Sequence, residues 1–461
     1  MIKVYLDWNV ISQMKNGNHP ELNNIIFENP KLLIPYSTSH VGDIFSSFNE
    51  TDKQQEIIQL DLEYLSKLTK DHCISNNGKE VILDFTTPFE LFQQRVELKD
   101  TFKDISLDGL SEMFSQDEST KEIGETYINS LKSISLGEDF IQALENPETA
   151  EQMEKLFPGL KENPTMEGFF QSFSKMNTAL NENDEYKHLR KIVQSGLGIN
   201  RDKIFNIEEP YKLIDKEQKN RGFAMDGHID NSKNAPEWFN KISNEYILLD
   251  MFGYQEDNVN VKKGRRETFK NTTEDAFHAS FASTCNFYVL NDNKSYNKTK
   301  KIYEKLSIKT IVLKPEEFVN YYKKYLDITD FSLNMSIAYD VITKNEFYES
   351  EEETGRLRTY HIPYYLFDFF NKISVFIPSN NSYLLVFFSQ DFPENCNTYL
   401  KEVIKLVDDI GKFLGNDVEN QGTVTEEEFK DKKWNGRIWK KEKVTYKLIL
   451  NDKSFQFYIE S

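Results

Sequence analysis

The chain has 461 residues, 38% of them hydrophobic and 28% charged, with 35 Phe and 23 Tyr. This length exceeds what one hydrophobic core usually serves and the aromatic content excludes a disordered chain, so two or three folded domains are expected. A formal net charge of -19 excludes bulk coating of polyanions, yet it leaves room for local basic patches and for an acidic site neutralised by divalent cations.

The N-terminal apolar run Ile2 to Leu6 ends at Asp7 and is too short for a signal segment, and no uncharged stretch reaches spanning length, so a cytoplasmic chain without a membrane partner is expected. Cys73, Cys285 and Cys396 are too widely spaced to suggest a disulfide framework or structural zinc.

Ile2 to Leu6 is β-branched and aromatic, which predicts a buried strand delivering Asp7 at its C-terminal end, followed by a helix to about Met14. After a break at Asn16 to Pro20, a second helix is expected through Phe27, and Lys31 to Pro35 reads as a short strand. Ser37 or Ser39 can cap a helix carrying Asp43, residues 53 to 69 keep a helical period, and Val81 to Phe85 suits another strand. From about 91 to 240, apolar residues recur at helical spacing, as in Thr126 to Ile134, Ala150 to Phe157 and Met166 to Leu180. Asn146-Pro147 and Asn163-Pro164 carry the Asn cap and first-turn Pro of helix starts, so this stretch reads as a helical insertion.

Strand and helix then alternate again: a helix opening near Glu274 and Asp275, a strand Phe287 to Leu290 ending at Asn291-Asp292, a helix Thr299 to Leu306, a strand Ile308 to Leu313, and a helix opened by Pro315. Such alternation predicts a parallel sheet with helices on both faces. Beyond Asp327 the pattern becomes α+β, with strands at Ser374 to Ile377, Ser382 to Phe388 and Thr445 to Leu450, a helix at Thr398 to Leu414, and Glu349 to Glu353 as a solvated loop. The expected organisation is an α/β domain in two parts, 1-90 and 241-325, interrupted by a helical insertion at 91-240 and followed by a C-terminal α+β domain at 326-461.

In a parallel sheet, sites gather at the carboxyl ends of the strands, which puts Asp7 and Asp292 on one rim with Asp275 and Asp43 approaching from helices. Acids converging there repel unless cations lie between them, and hard oxygen ligands suit Mg²⁺ or Mn²⁺. Each residue also has a plainer reading: a strand-terminal Asp is commonly a helix cap, and a single His near a core is commonly structural.

Leu6-Asp7-Trp8-Asn9-Val10-Ile11 resembles the Asp-x-Asn opening of PIN domains, and Ser37 to Ile44, with Asp43, is similar to the segment bearing their second acid. Asp275-Ala276-Phe277-His278-Ala279, with Ala282, Tyr288-Val289 and Asp292, resembles the third and fourth acids with the helix and strand between them. One departure is Leu290, two before Asp292, where the family commonly has Thr or Ser. The resemblance covers roughly residues 1 to 85 and 250 to 322 and implies a PIN-like sheet and an endoribonuclease using Mg²⁺ or Mn²⁺, with Asp7, Asp43, Asp275 and Asp292 as catalytic metal ligands. Asn9, His278 and Asn291 would support them, and Lys294, Lys298, Lys263, Arg265 and Arg266 are candidates for gripping RNA. A flap-endonuclease-like DNA nuclease and a non-catalytic PIN-like interaction module are the rivals. The insertion and C-terminal domain suggest restraint of access or a regulatory protein partner, by analogy with toxins and antiviral-defence effectors. In the C-terminal domain Lys432, Lys433, Trp434, Arg437, Trp439, Lys440 and Lys441 interleave cations with indoles, a composition suited to stacking on single strands.

Overall fold

The computed structural model describes residues 1–48, 51–98, 144–145, 150, 154, 157–165, 167–168, 171–172, 185–221, 235–257, 269–328, 330–379, 385–389, 400–429, 434–451 and 454–460. The chain is mixed α/β. Strand β1 (Ile2–Leu6) is buried along its whole length and lies inside a four-stranded parallel sheet with β2 (Leu32–Leu33), β6 (Phe287–Val289) and β7 (Ile311–Leu313), in the order β2-β1-β6-β7.

Both faces of β1 are covered, as a parallel strand requires. Ile2, Val4 and Leu6 point into a core shared with the helices Trp8–Lys15, Pro20–Ile26, Thr38–Ser46, Asp52–Thr69 and Pro315–Tyr321. Tyr5, on the alternate face, enters a second core with Tyr288 of β6 and with Tyr246, Ala279 and Ile302 from the helices Glu237–Phe252, Phe269–Ala282 and Asn293–Lys305. The expected strand at 31 to 35 is shorter, because after Leu33 the chain leaves the sheet and Tyr36–Ser37 becomes β3 of a second sheet. There β3 pairs in parallel with β4 (His72–Asn76), which pairs antiparallel with β5 (Val81–Phe85).

Helices Glu185–Leu197, Arg201–Ile204 and Pro210–Arg221 lie in the expected insertion, whereas Thr126 to Ile134 and Asn146 to Glu148 fall outside the described residues. Gly168 N–H donates to Thr165 Oγ1, so Thr165, and not Asn163, caps that turn. Both expected edges of the insertion fall inside continuous helices, Pro88–Leu98 and Glu237–Phe252. The second helix crosses position 240 because Phe239, Ile242, Tyr246 and Leu249 form one apolar face buried against the sheet helices.

The C-terminal segment forms a separate seven-stranded antiparallel sheet of β8 (Tyr348–Glu352), β9 (Gly355–Leu366), β10 (Phe370–Pro378), β11 (Leu385–Ser389), β12 (Arg437–Lys441), β13 (Val444–Asn451) and β14 (Ser454–Glu460), in the order β12-β13-β14-β11-β10-β9-β8, packed with helices Phe331–Lys344 and Leu400–Leu414 on a core that includes Ile373, Phe388, Leu406 and Phe457. The acidic run at Glu349 is an edge strand and not a loop: Tyr348–Glu352 pairs with Gly355–Leu366, and Glu349 Oε2 accepts from Arg358 Nε at 2.7 Å. The indoles proposed for stacking are buried in this core, Trp434 at 7% and Trp439 at 2% exposure, and Arg437 is spent on Glu428. That corrects the stacking expectation; Lys432 and Lys433 lie outside the described residues. Among the described residues no helix is long and apolar enough to cross a membrane.

Candidate active site

Leu6 and Val289 are lateral partners in adjacent parallel strands, so the chain leaves β1 at Asp7 and β6 toward Asp292 on the same rim. Each acid caps the next helix: Asp7 Oδ2 accepts from Asn9 N–H at 3.2 Å, and Asp292 Oδ2 from Ser295 N–H at 2.7 Å. The cap reading therefore holds for both, and it fixes the carboxylates at the rim. Asp7 is buried while Asp292 is exposed. Burial raises the Asp7 pKa, with Asp43 and Asp292 repelling and His278 opposing.

Asp275 does not open its helix; it lies in the second turn of Phe269–Ala282. Ser295 Oγ donates to Asp275 Oδ2 at 3.3 Å, so one serine holds Asp292 through its backbone and Asp275 through its hydroxyl. The Asp275 pKa is raised well above the carboxylate range by burial and by Asp257, Asp7 and Asp43, with Lys298 opposing.

Asp43 lies on the Thr38–Ser46 helix, capped by Ser37, and its Oδ2 accepts from His278 Nε2 at 2.9 Å. Burial pushes the His278 pKa down, but the Asp43 hydrogen bond and charge outweigh it, with Asp7 and Asp275 adding, and lift it to about 9. His278 is thus an imidazolium at neutral pH; its second N–H, on Nδ1, donates to Tyr5 Oη at 2.7 Å, and Tyr5 lies 2.6 Å from Ser37 Oγ. His40, 4.7 Å away between ring centroids, is the opposite case. Its Nε2 lies 2.7 Å from the Leu6 carbonyl, which can only accept, and its Nδ1 accepts from Ser37 N–H at 2.9 Å. Burial and the His278 charge hold it well below the usual range, so it is neutral. Gly42 lets these helices approach: a Cβ there would collide with Arg95 and Glu274, which pair at 2.8 Å.

The remaining expected residues divide. Asn9 contributes its backbone to Asp7 while its side chain is exposed, and Asn291 Nδ2 donates to Gln13 Oε1 at 3.1 Å. Lys298 is fully buried, its Nζ donating to Asp250 at 3.1 Å and Asp257 at 2.9 Å, so it cannot grip RNA. Lys294 donates to the Glu256 carbonyl at 2.8 Å. Lys263, Arg265 and Arg266 lie outside the described residues.

Four residues the sequence reading missed complete the surroundings. Asp250 accepts from Tyr186 Oη at 2.6 Å, Arg190 Nη1 at 3.1 Å and Lys298, and Asp257 stands between Lys298 and Asp275 in the charge balance. The available signal was Asp250 itself, an acid one helical turn after Tyr246 and beside Leu249 on an apolar face.

Among the described residues no group of three or more His, Cys, Asp or Glu is gathered closely enough to hold one metal ion. The acids thus feel one another electrostatically without closing into a coordination cage. No protein-family model, curated protein or solved structure matches the chain.

Proposed function

We propose that this chain is a PIN-like, metal-dependent endoribonuclease, hydrolysing phosphodiester bonds at Asp7, Asp43, Asp275 and Asp292. The observation that carries the reading is that Asp7 and Asp292 follow adjacent parallel strands on one rim, with Asp43 and Asp275 on helices near enough that Asp43 and Asp292 help raise the Asp7 pKa, and Asp7 and Asp43 help raise that of Asp275. The donor set is all carboxylate oxygen, and the repulsion that His278 and Lys298 only partly offset fits Mg²⁺ or Mn²⁺, held directly or through water. When bound, such an ion supplies stabilisation of phosphoryl charge and a water of lowered pKa.

The chain's own residues do the positioning. Ser295 holds Asp292 and Asp275 together, Asn9 N–H holds Asp7, and the His278 imidazolium fixes Asp43 while offsetting one negative charge. The buried Tyr5 hydroxyl locks the His278 ring from the other side. Tyr5 and His278 are both fully buried, so Asp43 is held from rigid elements of the core.

The test is cleavage of single-stranded RNA by the purified chain in Mg²⁺ or Mn²⁺, with loss on chelation and in Asp292→Asn. Cleavage of DNA alone would replace RNA as the substrate. The rival interaction module is favoured by one observation, that His278 already pairs with Asp43 at 2.9 Å where a ligand would have to compete. A chain that neither cleaves nor gives heat on titration with Mn²⁺ is that module.

A further inference from the structure

We propose that Lys314 is the cation that holds the substrate phosphodiester beside the acidic rim, an inference that rests on reading these acids as a phosphodiester site. A phosphodiester approaching four carboxylates is repelled unless fixed positive charge meets its oxygens. Sequence proximity pointed to Lys294 and Lys298, which are engaged elsewhere.

The sheet itself supplies the alternative. Leu6, Val289 and Leu313 are lateral partners across β1, β6 and β7, so the next residues along the rim are Asp7, Leu290 and Lys314. Leu290 N–H donates to the Leu313 carbonyl at 3.1 Å, which carries the pairing to the rim. Lys314 therefore stands at the carboxyl end of the third strand in the row that delivers Asp7 and Asp292.

Its ammonium is aimed. Lys314 Nζ donates to the Asn291 carbonyl, the residue before Asp292, at 2.7 Å, and lies 4.7 Å from the Tyr296 ring centroid. Among the described residues Lys314 forms no ion pair, and with one N–H on the Asn291 carbonyl its ammonium keeps further donors for phosphate oxygens. Half-buried, it is screened less than a surface lysine. Burial lowers its pKa while Asp292, Glu317, Asp7 and Glu316 pull it upward, which agrees with a position facing those acids.

The experiment compares wild type, Lys314→Met and Lys314→Arg in the full chain. Three quantities are read: single-turnover cleavage of a 5′-fluorescein single-stranded RNA in Mn²⁺, anisotropy binding of the same RNA in Ca²⁺, and calorimetric titration with Mn²⁺. Lys314→Met is expected to slow cleavage and weaken RNA binding by about tenfold or more, to leave Mn²⁺ binding intact, and to be substantially rescued by Lys314→Arg. RNA affinity gives a result even where turnover is slow. Cleavage and RNA affinity within about twofold of wild type would overturn the inference. So would loss of Mn²⁺ binding together with RNA binding, which would make Lys314 a support of the Asn291 loop. A wild-type chain binding neither Mn²⁺ nor RNA overturns the nuclease reading and this inference with it, whereas an active wild type with an indifferent Lys314→Met overturns this inference alone.

Discussion

His278 Nε2–H donates to Asp43 Oδ2 at 2.9 Å, which places a protein cation inside a cluster of carboxylates. The His278 side chain is fully buried and that of Asp43 is 29% exposed, so the pair joins the sheet core to the candidate site.

This pair gives a pH signature. The folded-state pKa of His278, about 9, exceeds its ordinary 6.5, so its protonation stabilises the fold fully below about pH 6.5 and that contribution disappears as pH rises through 9. Discounted for the partly exposed Asp43, it is on the order of 2 kcal/mol. Urea unfolding in chelator should show wild-type stability falling across this window by that much more than in His278→Gln. Parallel curves would show that His278 is not charged in the folded state.

A second prediction concerns the insertion. Lys298 is enclosed by Asp250 and Asp257, and Asp250 also takes Tyr186 and Arg190 from the Glu185–Leu197 helix. Lys298→Met leaves the buried Asp250 and the partly exposed Asp257 without their shared counter-charge and should cost about 3 kcal/mol, read as a fall in urea midpoint at unchanged slope. Tyr186→Phe, which removes one hydrogen bond to a charged group, should cost about 1.5–3 kcal/mol.

The same network bears on deletion of 91–240. An insertion that merely covered the site would release activity when removed, but here removal takes Arg190 and Tyr186 from Asp250 and cuts the helix Glu237–Phe252. The deleted chain should therefore be less stable and no more active than the full chain. A soluble, cooperatively melting and more active deletion product would restore the cover reading.

The parallel sheet and its rim were legible because β1 is rich in β-branched and aromatic residues and ends abruptly at Asp7, and because acid, helix, strand and acid follow one another from Asp275 to Asp292. Local pattern reports such things well. It does not report which lysine is buried: Lys294, Lys298, Lys300 and Lys301 look alike in sequence, and only the packing of Asp250 opposite the Asn293–Lys305 helix separates Lys298 from the rest. Trp434 and Trp439 were misread for a related reason, since bases beside indoles look the same on an exposed hairpin and at a core edge. Lys314 escaped notice because the strand register that aligns it with Asp7 joins residues about 300 apart in the chain, beyond any local pattern.

The last prediction separates stability from function at the acids themselves. Burial and neighbouring carboxylates raise the pKa of both Asp7 and Asp275, so ionising them at neutral pH opposes folding; the stability associated with their protonated forms is present below the ordinary carboxylate range and is lost as pH rises through the raised values. An amide keeps the size of the carboxyl group and carries no charge. Asp7→Asn combined with Asp275→Asn should therefore unfold at higher urea than wild type at pH 7.5 in chelator, by on the order of 1 kcal/mol, and the gain should shrink as pH is lowered toward 4. Titration with Mn²⁺ should reverse the order: wild type gains stability by mass action while the double variant gains none, because the charges that attract the cation are gone. A double variant that is less stable than wild type in chelator would mean that the acids serve chiefly as hydrogen-bonded caps, and equal Mn²⁺ heats in the two proteins would remove Asp7 and Asp275 from the metal site.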